Sequence, residues 1–239
     1  MKRIIIGLAI ILTGSVSIAQ ETSSSNSNVS VDYSINIVSR YIWRGLLYNS
    51  SPNFQPDLSL SVGNFSIGSW ASYSFNQNYA EVDLYITYAI GGFSATLFDY
   101  YNENEADMAS IKYFKWDRKI TGHALEVTLA WNGTESFPLR ALAATFFYGN
   151  DRDADGNQYY STYFEVGYPF NLNDYSIDVF LGGTPAKGLY HTGANIVNLG
   201  FTVSKDVKVT DHFSLPLSAS FILNPAKEDV YFVVGLTLK

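Results

Sequence analysis

The chain has 239 residues, no cysteine and a formal net charge of −7. The missing cysteine excludes disulfides, thiol catalysis, thiolate metal sites and a lipid-modified cysteine behind a leader. The acidic balance, 15 Lys and Arg against 22 Asp and Glu, disfavours nucleic acid as a partner, because phosphates need cations.

In chain order, Lys2 and Arg3 precede an apolar run from Ile4 to Leu12. That run is too short to remain as a membrane anchor, and the small residues Ser17 and Ala19 follow it. The spacing predicts a signal peptide over residues 1–19, cut before Gln20. Residues 20–28 read as a polar, flexible leader.

From Val29 onward the chain alternates with period 2, the spacing of side chains along a strand. In 56–62, Pro56, Leu58, Leu60 and Val62 alternate with Asp57, Ser59 and Ser61. In 81–88, Glu81, Asp83, Tyr85 and Thr87 alternate with Val82, Leu84, Ile86 and Tyr88. In 124–131, Glu126 and Thr128 oppose Leu125, Val127, Leu129 and Trp131. In 211–223, Phe213, Leu215, Leu217, Ala219, Phe221 and Leu223 oppose Ser214, Ser218 and Ser220. The pattern predicts about twelve strands: 30–45, 54–63, 65–75, 80–90, 92–101, 120–131, 137–148, 158–169, 174–184, 193–204, 211–223 and 228–239.

Connections alternate in length. Gly63-Asn64, Gly91-Gly92, 132–136, 170–173 and 205–210 are short turns. Segments 102–119, 149–157, 185–192 and the segment 46–53 are longer, with 76–79 and 224–227 as short members of that set. Barrels of the bacterial outer membrane have short periplasmic turns and longer outer loops. A soluble sandwich also alternates, but its outward face is polar; here Val, Leu, Ile, Phe and Tyr fill one face of most strands. The 18 Tyr, 16 Phe and 4 Trp suit membrane interfaces. The expectation for residues 29–239 is an all-β, antiparallel up-and-down transmembrane barrel in a bacterial outer membrane, with both termini periplasmic and outer-membrane lipid as its surroundings.

The first third carries a series: Ser39-Arg40-Tyr41-Ile42-Trp43-Arg44-Gly45, then Pro52 and Gln55, then Gly68-Ser69-Trp70-Ala71-Ser72, then Glu81-Val82-Asp83-Leu84-Tyr85. It resembles the TorF-type putative porins, also called Gcw_chp proteins, over residues 30–101. That resemblance implies an outer-membrane barrel and supplies no substrate or catalytic residue.

Strand parity puts Asp32, Asn36, Arg40 and Arg44 on one face of the first strand, opposite Tyr33, Ile35, Ile37, Tyr41 and Trp43. It also turns Asp57, Glu81, Asp83, Glu126, Arg140, Glu165 and Asp178 inward. Rings of acid and base across a constriction set ion selectivity, so Arg40, Arg44, Asp57, Glu81, Asp83, Glu126, Arg140 and Asp178 form the candidate lumen site. The expected function is a narrow passive channel for small hydrophilic solutes. The alternative is a barrel closed by these same charges that works through its outer loops. A barrel enzyme ranks last, because His123, His191 and His212 lie at different heights and no nucleophile gathers around them. No cofactor pattern is present. Asp151-Arg152-Asp153-Ala154-Asp155-Gly156 matches the first half of a calcium loop, but Thr162 stands where a bidentate Glu belongs; an Asp/Gly hairpin turn is the simpler expectation.

Overall fold

The computed structural model describes residues 29–103, 105, 107, 109, 112–211 and 213–239. The signal peptide and leader expected over 1–28, and His212, lie outside them. Twelve strands close into an antiparallel barrel: β1 (Val29–Val38), β4 (Asn53–Val62), β5 (Phe65–Ser74), β6 (Ala80–Ile90), β7 (Phe93–Glu103), β8 (His123–Trp131), β9 (Arg140–Gly149), β10 (Thr162–Leu172), β11 (Tyr175–Thr184), β12 (Asn195–Thr210), β13 (Phe213–Asn224) and β14 (Asp229–Leu238). Each strand pairs with its sequence neighbour, and β1 closes the ring by pairing Ile35 with Leu238 and Val38 with Gly235. Closure leaves no sheet edge unpaired, the condition for a strand structure to stand in lipid.

The expected strands are present, most with ends shifted by a few residues; the expected turn 205–210 is instead the end of β12, whose residues pair with β13. The largest correction is at the first. It was expected over 30–45; it leaves the wall after Val38. There Ser39 makes the last contacts, its N–H donating to the Val234 carbonyl (2.8 Å) and its hydroxyl accepting from the Val234 N–H (3.0 Å). The chain then forms a separate hairpin, β2 (Tyr41–Trp43) and β3 (Leu46–Asn49). Segment 46–53 is therefore not a loop facing outward.

The wall is inside-out relative to a soluble barrel. Leu58, Phe65, Ile67, Ile86, Phe93, Leu129, Phe164 and Phe232 face outward at 50–63% exposure, and Asn53, Gln55, Ser72, Glu81, Asp83, Thr87, Thr96, Glu126 and Thr202 are buried on the inner face. Such an apolar belt around a polar interior is stable when lipid meets the belt.

The two ends differ. Among the described residues, the turn end carries 63–64, 91–92, 132–139, 173–174 and 211; the loop end carries 39–52, 75–79, 105, 107, 109, 112–122, 150–161, 185–194 and 225–228. Both Val29, which pairs with Val62, and the final residues of β14 run toward the turn end.

Candidate functional site

The site is the β2–β3 hairpin, seated inside the barrel from the loop end. Its tip is a two-residue turn, Arg44-Gly45, between the paired Trp43 and Leu46. Both turn residues have positive φ, 49° and 76°, the type I′ conformation whose twist suits a hairpin. Gly45 is required twice over. Its φ is left-handed, and a Cβ there would lie 1.9 Å from the Val197 carbonyl oxygen of the wall. On its other side the Gly45 carbonyl accepts from Asn224 Nδ2 at 3.0 Å.

Arg44 reaches across the lumen to β8. Its guanidinium donates to both oxygens of Glu126, at 2.5 and 2.9 Å, and to the Tyr190 hydroxyl at 2.5 Å. Thr128 (2.8 Å) and Tyr100 (3.2 Å) donate hydroxyls to the same carboxylate. The side chains of Arg44 and Glu126 are 8% and 0% exposed, so this is a buried, bidentate pair with its remaining lone pairs satisfied, the geometry in which such pairs hold. The guanidinium also lies over Trp43, 4.3 Å from the ring centroid, and over Tyr163 at 5.0 Å.

Aromatic side chains fill the space around the pair. Trp43 contacts Tyr48, Tyr100 and Phe146 edge-on and stacks on Tyr190 at 5.8 Å. Tyr41 packs against Tyr48, Trp70 and Tyr79. Tyr190 comes from the segment 185–194, so a second loop also folds inward.

The other predicted residues fall into three places. Glu81 and Asp83 are buried on β6: Glu81 accepts from the Tyr79 hydroxyl (2.6 Å), and Asp83 from the Tyr101 N–H (3.3 Å). Asp57 on β4 accepts from the Tyr85 hydroxyl (3.1 Å). Arg140 on β9 pairs with Asp178 on β11, two strands away. Glycine makes such reaches possible: Cβ atoms at Gly167, Gly68 and Gly182 would meet the Arg140 guanidinium, the Tyr85 ring and the Tyr163 hydroxyl at 2.6, 2.3 and 2.0 Å. Each side chain crosses the intervening strand through that gap. Tyr163 then accepts from Asn198, which with Tyr163 also donates to Glu165.

Two expectations need correction. Arg40 and Arg44 do not continue a wall strand: Arg40 is exposed at the bend that opens the hairpin and joins no lumen pair among the described residues, while Arg44 sits at the hairpin tip. Tyr41 and Trp43 were expected on the lipid face; they are 4% and 5% exposed in the lumen. The acids and Arg140 do line the lumen, but they form local hydroxyl and ion-pair clusters rather than one ring. Sequence reasoning missed Tyr190, Asn198 and Asn224. Only the Arg44-Gly45 pair between apolar runs was available as a turn signal.

Toward the turn end the inner face changes character. Ser34, Asn36, Ser59, Ser61, Ser66, Ser94, Ser176, Ser204 and Ser218 are only half-buried. Small hydroxyl side chains fill less of this part of the lumen than the aromatic rings do at the loop end.

The remaining candidates are structural. His123 is buried on the outward face, Nδ1 on Asp99 (2.8 Å), Nε2 on the Tyr113 carbonyl (2.5 Å), and its ring stacked on Trp116. His191 touches the Gly193 carbonyl. In the Asp-rich loop, Asp151 accepts from Ser161 and Gln158, and Asp153 from the N–H groups of Asn157 and Asp155. Those donors, Asn157 foremost, hold the Asp153 carboxyl below its ordinary range. The carboxylates thus build a turn.

With the geometry in place, the chain can be compared with known proteins. No protein-family model matches it, and no curated protein matches it. A solved structure described as "KdgM porin" is similar. It shares 11% identity at a TM-score of 0.49, over 88% of this chain and 99% of that one.

Proposed function

We propose that this chain is an outer-membrane barrel that serves as a narrow passage for small hydrophilic solutes, held closed by its own β2–β3 hairpin. The carrying observation is how the closure is made. Twelve wall strands complete their hydrogen bonding without the hairpin, which joins the wall only through its two ends and meets it through side chains and the Asn224 contact. An element so attached can shift while the barrel stays closed. Beneath it lies a lumen of hydroxyls and ion pairs of the kind that passes hydrated solutes. The loop end then faces outward and the turn end the periplasm, as short turns imply. Ser39 to Gly45, one part of the series that resembles TorF-type putative porins, forms the first strand and the turn of this hairpin; membership of that family is part of the same reading.

A second reading has one specific observation in its favour. Trp43, Tyr41, Trp70, Tyr100, Phe146 and Tyr190 form a continuous buried cluster, as a permanently sealed, structural barrel would have. Planar-bilayer recording separates the two. Wild type is expected to show rare, brief openings; a barrel lacking residues 41–49 is expected to show stable steps. A hairpin-deleted barrel that keeps heat-modifiable gel migration and conducts nothing would leave the sealed reading standing.

A further inference from the structure

Residues 112–121 read Lys-Tyr-Phe-Lys-Trp-Asp-Arg-Lys-Ile-Thr: four cations and three aromatics around one carboxylate, in a chain of net charge −7. Upstream in the same connection stand Glu105 and Asp107, and the loop between β9 and β10 carries Asp151, Asp153 and Asp155. Against those acidic stretches, 112–121 is basic and aromatic.

Its location is equally specific. It does not cover the barrel mouth. It lies on the outside of the wall, over Tyr101 and His123, whose parity is that of the outward-facing Leu97 and Val127. Tyr113 packs on Tyr101 (5.0 Å) and His123 (4.7 Å), and Trp116 stacks on His123 at 3.7 Å. The Lys112 N–H donates to the Tyr101 hydroxyl (3.2 Å), and the Tyr148 hydroxyl donates to the Trp116 carbonyl. Arg152 fixes the far end, donating to the carbonyls of Arg118 (2.6 Å) and Thr121 (3.1 Å).

What this anchoring presents is unusual. Phe114 is 90% exposed, with Ile120 and Trp116 also exposed. Lys115, Arg118 and Lys119 are exposed beside them and form no ion pair among the described residues. Arg118 donates only to the neutral Tyr160 hydroxyl (3.4 Å). Apolar anchors next to cations without a carboxylate partner, at the rim of an apolar belt, match a lipid interface that carries anionic headgroups.

We infer that segment 112–121 is a headgroup site for a phosphorylated lipid of the outer leaflet, with Lys115, Arg118 and Lys119 on its phosphates. This rests on the outer-membrane reading and on the loop end facing outward. The folded full-length barrel in neutral detergent is titrated with an acylated glucosamine disaccharide bisphosphate, with the same lipid stripped of its phosphates, and with inorganic phosphate, and bound lipid is read by native mass spectrometry. Wild type should hold the bisphosphate and lose the phosphate-free form, and inorganic phosphate should not displace the lipid. Lys115→Ser, Arg118→Ser and Lys119→Ser combined should weaken binding on the order of 100-fold, as three interfacial cations imply; Lys205→Ser with Lys208→Ser, at the turn end, should not. Equal binding by the triple variant, equal binding of the phosphate-free lipid, or displacement by inorganic phosphate would overturn the site. A barrel recovered from cells as a monomer without detergent would instead overturn the membrane reading beneath it.

Discussion

Replacing Arg44 with Met removes one charge of a pair whose other member, Glu126, has a side chain 0% exposed. The hydroxyls of Thr128 and Tyr100 remain on the carboxylate, but no cation does. Breaking a buried pair from one side costs about 3–5 kcal/mol. The cost falls on the seating of the hairpin, because the wall strands keep all their pairings. At about 1.4 kcal/mol per tenfold, the unseated fraction should rise by roughly two to nearly four powers of ten. Hydrogen exchange with mass spectrometry reads this directly. Peptides covering 39–52 should lose protection in Arg44→Met, while peptides from β12 and β13 should not. Adding Glu126→Leu should restore much of the protection, since an apolar replacement removes the stranded charge. Unchanged exchange over 39–52 in a folded Arg44→Met barrel, or a double variant as exposed as the single one, would refute the idea that this pair seats the hairpin.

The turn glycines give a paired test. Gly45→Ala forces a Cβ to 1.9 Å from a wall carbonyl oxygen, whereas Gly63→Ala, also at positive φ, meets nothing within 4 Å; the first should unseat the hairpin in the same exchange assay, and the second should cost only about 1–2 kcal/mol of local strain. Gly167→Ala should displace the Arg140 guanidinium from Asp178 and cost about 1.5–3 kcal/mol, read as a lower temperature for loss of the folded gel band; in an Arg140→Ala background the same change should cost much less. For orientation, the absence of native cysteine allows single-site labelling: Asp155→Cys should react with an impermeant maleimide on intact cells and Asn173→Cys should not, and the reverse pattern would invert the barrel.

The sequence by itself determined the sheet and its two faces. A strict period of two obliges neighbouring side chains to opposite sides, so Leu58, Leu60 and Val62 could be placed outward and Asp57, Glu81, Asp83, Glu126, Arg140 and Asp178 inward from the pattern alone. The same period-2 segments gave the count of about twelve strands, and turn-length phasing gave the two unlike ends. Tertiary structure alone decided what happens after Val38. Residues 39–45 continue the alternation of β1, and alternation is the same for a wall strand and for a hairpin folded into the lumen. What distinguishes them is distant: Glu126, Tyr190, Val197 and Asn224 supply the charge, the ring, the close backbone and the amide that hold Arg44-Gly45 in place. Those partners are 82 to 179 residues away along the chain. They converge only because the barrel closes, and closure is also what turns one arginine from a wall charge into the tip of a plug.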